Sequence, residues 1–292
     1  MRVAVVGLGR MGGAVAERLL AAGHHELTVC NRSAAAAVPF AAAGAHVAQR
    51  PVDVWETADV ALTLLADPGA VLDVALGAGG LLTGPAGGVL VEMSTIDVAT
   101  SERVAERAAH RAVGYLRAPI SGNPAAVAAG TASVVVSGDE ALTARLRPLL
   151  TEVGPAAVTW VGDDERARVV KLCLNLVLAG TAQLLAEALV LGEAHGVSRR
   201  ALLEVLGASA VGSPFVRYKT DALVAGDLQS TFTTSLMLKD MGLIRAAAAA
   251  AGVPVPLTEE TEALLDACAA NGYADADFMA LLPHLRAAAG LT

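Results

Sequence analysis

The 292-residue sequence has few aromatic residues, few cysteines and little charge. Aromatics make up 3% of it, which disfavours a large aromatic-lined pocket and points to a small, polar ligand. The three cysteines, Cys30, Cys173 and Cys268, show neither disulfide nor metal-ligand spacing, so the expected setting is a reducing cytoplasm. The six histidines contain no pair at one-turn helical spacing, and no metal is assigned. No basic run occurs, and a net charge of -8 argues against a nucleic-acid partner. Strand-like residues begin at Val3, so no targeting segment is expected ahead of them. One apolar stretch, Val169 to Leu191, approaches the length of a membrane span. Lys171, Asn175, Gln183 and Glu187 interrupt it, and a buried helix of a soluble protein is expected instead, with no membrane partner.

What is present is a hydrophobic majority. With 54% hydrophobic and 17% charged residues the chain can bury a substantial core, and its length favours two domains or one large one. Short apolar runs at Val3 to Val6, Leu27 to Cys30, Val60 to Leu65 and Val89 to Met93 alternate with alanine-rich helical segments. That pattern predicts a parallel sheet buried on both faces. Further strands are expected at Tyr115 to Arg117, Ser133 to Val136 and Val158 to Val161. Beyond Asp163 strand signals nearly vanish. Asp163 and Asp164 offer a helix start, and a long helix is expected to reach about Ala194, with later breaks at Gly196, Gly207 to Pro214, Gly226 and "AGVPVP" at 251 to 256. The expected division is 1–162 as a cofactor-binding α/β domain and 163–292 as an all-helical domain. No internal repeat is found.

Gly7-x-Gly9-x-x-Gly12 falls between the first strand and the first helix, the context that a dinucleotide fingerprint requires. The whole segment Gly7, Leu8, Gly9, Arg10, Met11 and Gly12 is expected at the cofactor, with pyrophosphate oxygens facing the N–H groups at the helix start. Where an acid would bind the ribose hydroxyls of NAD, the second strand ends in Asn31, Arg32 and Ser33. Arginine pairs with a 2'-phosphate that an aspartate would repel, so NADP(H) is favoured over NAD(H).

"GLGRMG" at 7–12, "APISGNPAAVAAGTASVVVSG" at 118–138, "KLCLN" at 171–175 and "FTTSLMLKD" at 232–240 occur in one order along nearly the whole chain. In this the sequence resembles the β-hydroxyacid dehydrogenases, the family of 3-hydroxyisobutyrate dehydrogenase and the glyoxylate and succinic semialdehyde reductases. The resemblance implies an N-terminal Rossmann domain joined by a long helix to an all-α domain, with an active site in the cleft between them; the apolar segment from Val169 to Leu191, too hydrophobic to lie exposed on both sides, predicts docking on a second subunit in a homodimer or homotetramer. The resemblance also implies Lys171 as catalytic acid or base, with Asn175 positioning it or the substrate. Ser121, Gly122 and Asn123 would hold the carboxylate and carbinol groups of a small carboxylated substrate. Leu65, Ala66, Thr95 and Lys239 would contact the cofactor.

Residue chemistry agrees. Hydride delivery to a carbonyl creates alkoxide charge, which a protonated amine stabilises and then quenches. Lys171 sits among apolar neighbours, and Asn175 lies one helical turn later. The sequence departs from the family at three places. Asn123, with Pro124 next to it, replaces the usual second glycine of the Ser-Gly loop, Val98 replaces a proline after "STID", and "DDERARVV" replaces a glycine-rich lead into the catalytic helix. The expected reaction is NADPH-preferring interconversion of a small aldehyde or keto acid and its hydroxy acid. An imine reductase is the rival enzyme, disfavoured by the lysine. A non-catalytic NADP-binding regulator is the rival of another class, disfavoured because the lysine and the Ser-Gly loop are both retained.

Overall fold

A computed structural model describes residues 1–84, 87–229 and 232–291. Its contacts divide the chain into two compact units, Met1–Leu172 and Cys173–Thr292.

The first unit is built on a six-stranded parallel sheet: β1 (Arg2–Val6), β2 (Glu26–Cys30), β3 (His46–Val47), β4 (Val60–Thr63), β5 (Val89–Glu92) and β6 (Gly114–Arg117), in the order β3-β2-β1-β4-β5-β6. The order reverses between β1 and β4, the point at which open parallel sheets receive a nucleotide. Strand alternation splits the core in two. Val3 and Val5 join Leu19, Val29, Leu62 and Leu116 in one cluster, whereas Ala4 and Val6 join Cys30, Ala61, Leu90 and Val104 in the other. Each fully buried valine or leucine there contributes roughly 1.5–3 kcal/mol, which is why these strands read as unbroken apolar runs. A second sheet of β7 (Ile120–Ser121), β8 (Ser133–Val136) and β9 (Ala157–Trp160) shares the first cluster through Val134 and Val136.

The helices of this unit are α1 (Arg10–Ala22), α2 (Val38–Ala42), α3 (Pro68–Leu76), α4 (Val98–His110), α5 (Pro124–Ala129) and α6 (Glu140–Val153). α7 (Arg166–Ala194) continues from the first unit into the second, which adds α8 (Arg199–Ala208), α9 (Pro214–Ala225), α10 (Thr234–Ala251), α11 (Pro256–Cys268) and α12 (Leu281–Ala288). This is the expected architecture, a Rossmann α/β region followed by an all-α region and joined by a long helix. Within the second unit Phe278 stacks on Phe215, with ring centroids 5.8 Å apart, and meets Phe232 edge-on at 5.4 Å, so three of the four phenylalanines form one cluster.

The long helix has the length and apolarity of a membrane span, with 44% of its most apolar window buried. It starts later than the sequence suggests. Gly162 at φ +105° and Asp164 at φ +55° turn the chain first, and Ser137 provides the cap, accepting from the Ala167 N–H at 3.1 Å while donating to the Asp164 carbonyl at 2.6 Å.

Candidate active site

Three residues separate β1 from α1. Gly7 sits at φ +95°, and a Cβ there would lie 2.4 Å from the Leu64 carbonyl oxygen. A Cβ on Gly12 would lie 1.8 Å from the Gly7 carbonyl oxygen, so the helix rests on the turn itself. Gly9 differs. Its φ of -67° suits any residue, and a Cβ would meet no protein atom within 4 Å. Gly9 is also the N-cap of α1, which has no side-chain cap bond and no acidic residue in its first turn. The leading N–H groups of a helix lack internal partners and carry positive partial charge. An open, acid-free helix end behind a glycine fits the pyrophosphate of a dinucleotide. Of the other residues in this turn, Leu8 is buried, Arg10 is exposed and Met11 packs against the core.

Asn31 is joined to this loop. Its Oδ1 accepts the Leu8 N–H at 2.8 Å, its Nδ2 donates to the Ser33 carbonyl at 3.1 Å, and the Gly7 N–H donates to the Cys30 carbonyl at 2.9 Å. The side chain therefore braces the glycine turn from the end of β2. Arg32 and Ser33 are exposed beside it, and among the described residues nothing engages the Arg32 guanidinium. Burial, first, and Asp53, second, push the Cys30 thiol up to about 11, so it stays neutral beneath the loop.

The next two strand ends complete a shelf. The Leu65 N–H donates to Ser94 Oγ at 2.8 Å, placing Leu65 and the exposed Ala66 beside Ser94 and Thr95, as the parallel pairing of β4 with β5 requires. Arg32 follows β2 and Thr95 follows β5. Three strand spacings separate β2 from β5, on the order of 14 Å.

Ser121 ends β7 opposite Ser133, and Gly122 at φ +136° turns the chain within 3.1 Å of the Ala126 Cβ, measured from the Cβ it lacks. The Asn123 Oδ1 accepts the Ala126 N–H at 2.8 Å, and Pro124 is the first residue of α5. The departure from the family loop thus has a local cause: asparagine is a strong N-cap, and proline suits the first helical position. At Val98 the same device appears with an acid, since Asp97 Oδ1 accepts the Thr100 N–H at 2.7 Å and starts α4 without proline.

On α7, Lys171 is half-buried and Asn175, four residues on, is 3% exposed. The Asn175 Nδ2 donates to Asp240 Oδ2 at 2.5 Å, and Asp240 Oδ1 lies 2.8 Å from Lys239 Nζ. One buried carboxylate therefore joins two residues that the sequence reading treats separately. That reading holds no role for Asp240, whose only signal is its place after Lys239. A second unforeseen group lies at the foot of α7. Arg168 is fully buried and pairs with buried Glu92 at the end of β5, while Arg117 donates to Glu165 Oε1 at 2.7 Å. Burial alone would lower the Arg168 pKa, but Glu92 and then Tyr115 hold it above its ordinary value.

Residues 2–162 match the family model of the NAD binding domain of 6-phosphogluconate dehydrogenase, and residues 166–285 match that of the NAD-binding region of NADP-dependent 3-hydroxyisobutyrate dehydrogenase. The chain belongs to the β-hydroxyacid dehydrogenase family. Among curated members of this family, the NAD-dependent L-serine dehydrogenase of Pseudomonas aeruginosa is 33% identical over 95% of this chain and 95% of its own. The solved 3-hydroxyisobutyrate dehydrogenase of Mycobacterium tuberculosis, with L-serine, superposes at a TM-score of 0.86 with 29% identity, covering 97% of this chain and 98% of that one. An imine reductase from a Pseudomonas species shares the fold alone, at a TM-score of 0.64 and 22% identity, over 97% of this chain and 98% of its own. The protein is an NAD(P)-dependent β-hydroxyacid dehydrogenase-type oxidoreductase.

Proposed function

We propose that this enzyme is an NADPH-preferring reductase of a small aldehyde or keto acid that carries a carboxylate, reversible as a hydroxy-acid dehydrogenase, with Lys171 as its proton donor. The observation that carries the reading is the chain's use of lysine. Of 21 lysines and arginines only three are lysine: Lys171, Lys219 and Lys239. Lys219 pairs with Asp277, and Lys239 pairs with the carboxylate that also holds Asn175. A chain that uses arginine for almost every cation retains lysine where a removable proton is needed.

The cofactor, when bound, supplies the hydride. Gly7 to Gly12 seat its pyrophosphate, Arg32 and Ser33 meet a 2'-phosphate, and Leu65, Ala66, Thr95 and Lys239 line the rest. Lys171 stabilises the developing charge on the carbonyl oxygen and gives that oxygen its proton. Asn175, oriented by Asp240, holds the same group in place. Ser121, the Gly122 backbone and the Asn123 amide nitrogen, whose oxygen is committed to the cap, hold the carboxylate. L-Serine and 3-hydroxyisobutyrate, named with the relatives above, are small carboxylated alcohols of this class. We place the working enzyme in the cytoplasm as a homodimer or homotetramer.

The test is cofactor oxidation against glyoxylate, succinic semialdehyde, methylmalonate semialdehyde and a cyclic imine, with NADPH and with NADH. A carboxylated aldehyde with NADPH should be fastest, and Lys171→Ala should lower its turnover about 100- to 10,000-fold with NADPH affinity unchanged. Preference for the imine, or a Lys171→Ala variant within a few-fold of the parent, overturns the reading.

A further inference from the structure

Arg168 is about 1% exposed, yet each of its guanidinium nitrogens is engaged. Nη1 donates to the Ser94 carbonyl at 2.7 Å, Nε to Ser101 Oγ at 3.2 Å, and Nη2 to the Glu92 carboxylate and, at 3.4 Å, to the Tyr115 hydroxyl. The partners are fixed in turn. Ser101 Oγ and the Tyr115 hydroxyl lie 3.0 Å apart, the Tyr115 ring lies 4.6 Å under the Arg117 guanidinium, and Glu92 Oε1 accepts the Ser94 N–H at 2.8 Å. Ser94 Oγ accepts the Leu65 N–H at 2.8 Å. One side chain in the first turn of α7 therefore grips β5, α4 and β6 directly and β4 through Ser94.

A sealed ion pair is a poor source of stability, since desolvation of two charges offsets their attraction and apolar residues of similar volume often serve as well. Its fork does fix direction, because five planar donors cannot all be satisfied after a rotation of the helix. Lys171 is three residues further along the same helix, about 4.5 Å up the axis. Ser94 adjoins Thr95, and its hydroxyl holds Leu65, two of the strand-end residues expected at the cofactor.

We infer that Arg168 is a positioning residue of the reaction, locking the azimuth of the first turn of α7 to the ends of β4 and β5 and so holding Lys171 in register with the cofactor shelf. The inference rests on the reading of Lys171 as proton donor. It also accounts for the "DDERARVV" segment: the buried arginine takes the place of a glycine-rich approach.

The experiment compares Arg168→Lys, Tyr115→Phe and Lys171→Ala with the parent, counting active sites by NADPH binding stoichiometry. Misplacement of a catalytic group by an ångström can cost about 100-fold. Arg168→Lys keeps the charge but loses the fork; its kcat per NADPH-binding site should fall 10- to 100-fold with NADPH Kd and substrate KM within about threefold, and the pH at which kcat breaks should move. Tyr115→Phe removes only the hydroxyl, which contacts both Arg168 and Ser101, and should lower kcat several-fold with the same split. A purely structural arginine would lower the number of binding sites or the melting temperature and leave kcat per site and the pH profile unmoved; that result overturns the inference. Should Arg168→Lys not fold, Tyr115→Phe decides alone, an unchanged kcat and pH profile overturning it. Lys171→Ala separates the two failures: if it is inactive while the other variants match the parent, only the positioning role is lost, and if it is active, the proton-donor reading is lost and the role of Arg168 in placing it goes with it.

Discussion

Gly12→Ala and Gly9→Ala each add one methyl group near the same helix end, and the structure separates their consequences. At position 12 the new carbon would lie 1.8 Å from the Gly7 carbonyl oxygen, so strand end and helix must part. Overpacking of this kind typically costs about 1–3 kcal/mol or more, and Gly12→Ala should melt well below the parent. At position 9 no protein atom lies within 4 Å, so Gly9→Ala should stay within about 1 kcal/mol of the parent. Its NADPH Kd should nonetheless rise at least tenfold, because in the proposed reading that space takes the pyrophosphate. Melting curves beside cofactor titrations check both, and a Gly9→Ala variant that binds NADPH normally would show that the open space is not the phosphate seat. Arg32→Ala tests the proposed contact with a 2'-phosphate. A charge-assisted pair contributes about 1.5–3 kcal/mol, so NADPH affinity should fall roughly tenfold or more while NADH affinity holds within twofold. An equal loss for both cofactors would mean that Arg32 does not read the 2'-phosphate.

At the scale of elements, pairing that needs only neighbours in sequence is legible and pairing at a distance is not. Four apolar runs announce β1, β2, β4 and β5 because each strand is buried on both faces, and Tyr115 to Arg117 marks β6. β3 and β7 have two residues each, too few to show a period. The start of α7 escapes the sequence because its cap, Ser137, lies thirty residues upstream in another element. The site divides the same way. The glycine turn and the one-turn spacing of Lys171 and Asn175 are local, whereas Asp240 and the Arg168–Glu92 pair become visible only when the chain is folded.

Histidine spacing misleads similarly, since His24 and His25 are adjacent rather than a turn apart and still converge. Their Nε2 atoms lie 3.0 and 2.8 Å from the two oxygens of Glu152, joining the end of α1 to the end of α6. The bond to the Ala22 carbonyl and then the one to Glu152 raise His24 above its usual 6.5. Burial pushes Glu152 up, but its bonds to His25 and His24 outweigh this and leave it below 4.5. The histidine contribution is fully present below about pH 6.5 and fades as pH rises through the raised value; the glutamate contribution is present above about 4.5 and fades as pH falls through the lowered one. The melting temperature of the parent should therefore exceed that of His24→Ala most near pH 5.5, with the difference shrinking as pH rises above 6.5 through the raised histidine value. A difference that stays constant over that range would show that the link is not ionic.

For the molecule as a whole, the exposed apolar surface of α7 is the feature that one chain leaves unexplained. Ala179, Ala182, Ala186 and Leu189, at helical spacing, form a buried face, yet Val177, Leu184 and Leu191 are 63%, 57% and 64% exposed. Their spacing of seven residues puts them in one stripe along the helix, the arrangement by which two helices interlock. An exposed apolar stripe of this kind marks an interaction surface, and a closed, self-complementary contact with a second copy would cover it despite the net charge of -8. Sedimentation velocity at about 10 µM should accordingly show a species of at least about 59 kDa, twice the 29.4 kDa chain. Leu184→Glu places a charge in the middle of the stripe, where the parent side chain is mostly outside its own core. It should shift the population toward monomer by tenfold or more in dissociation constant, with far-ultraviolet circular dichroism unchanged. If the parent sediments as a monomer, or if Leu184→Glu leaves the assembly intact, the stripe is not the contact, and the apolar face of α7 must be covered in some other way.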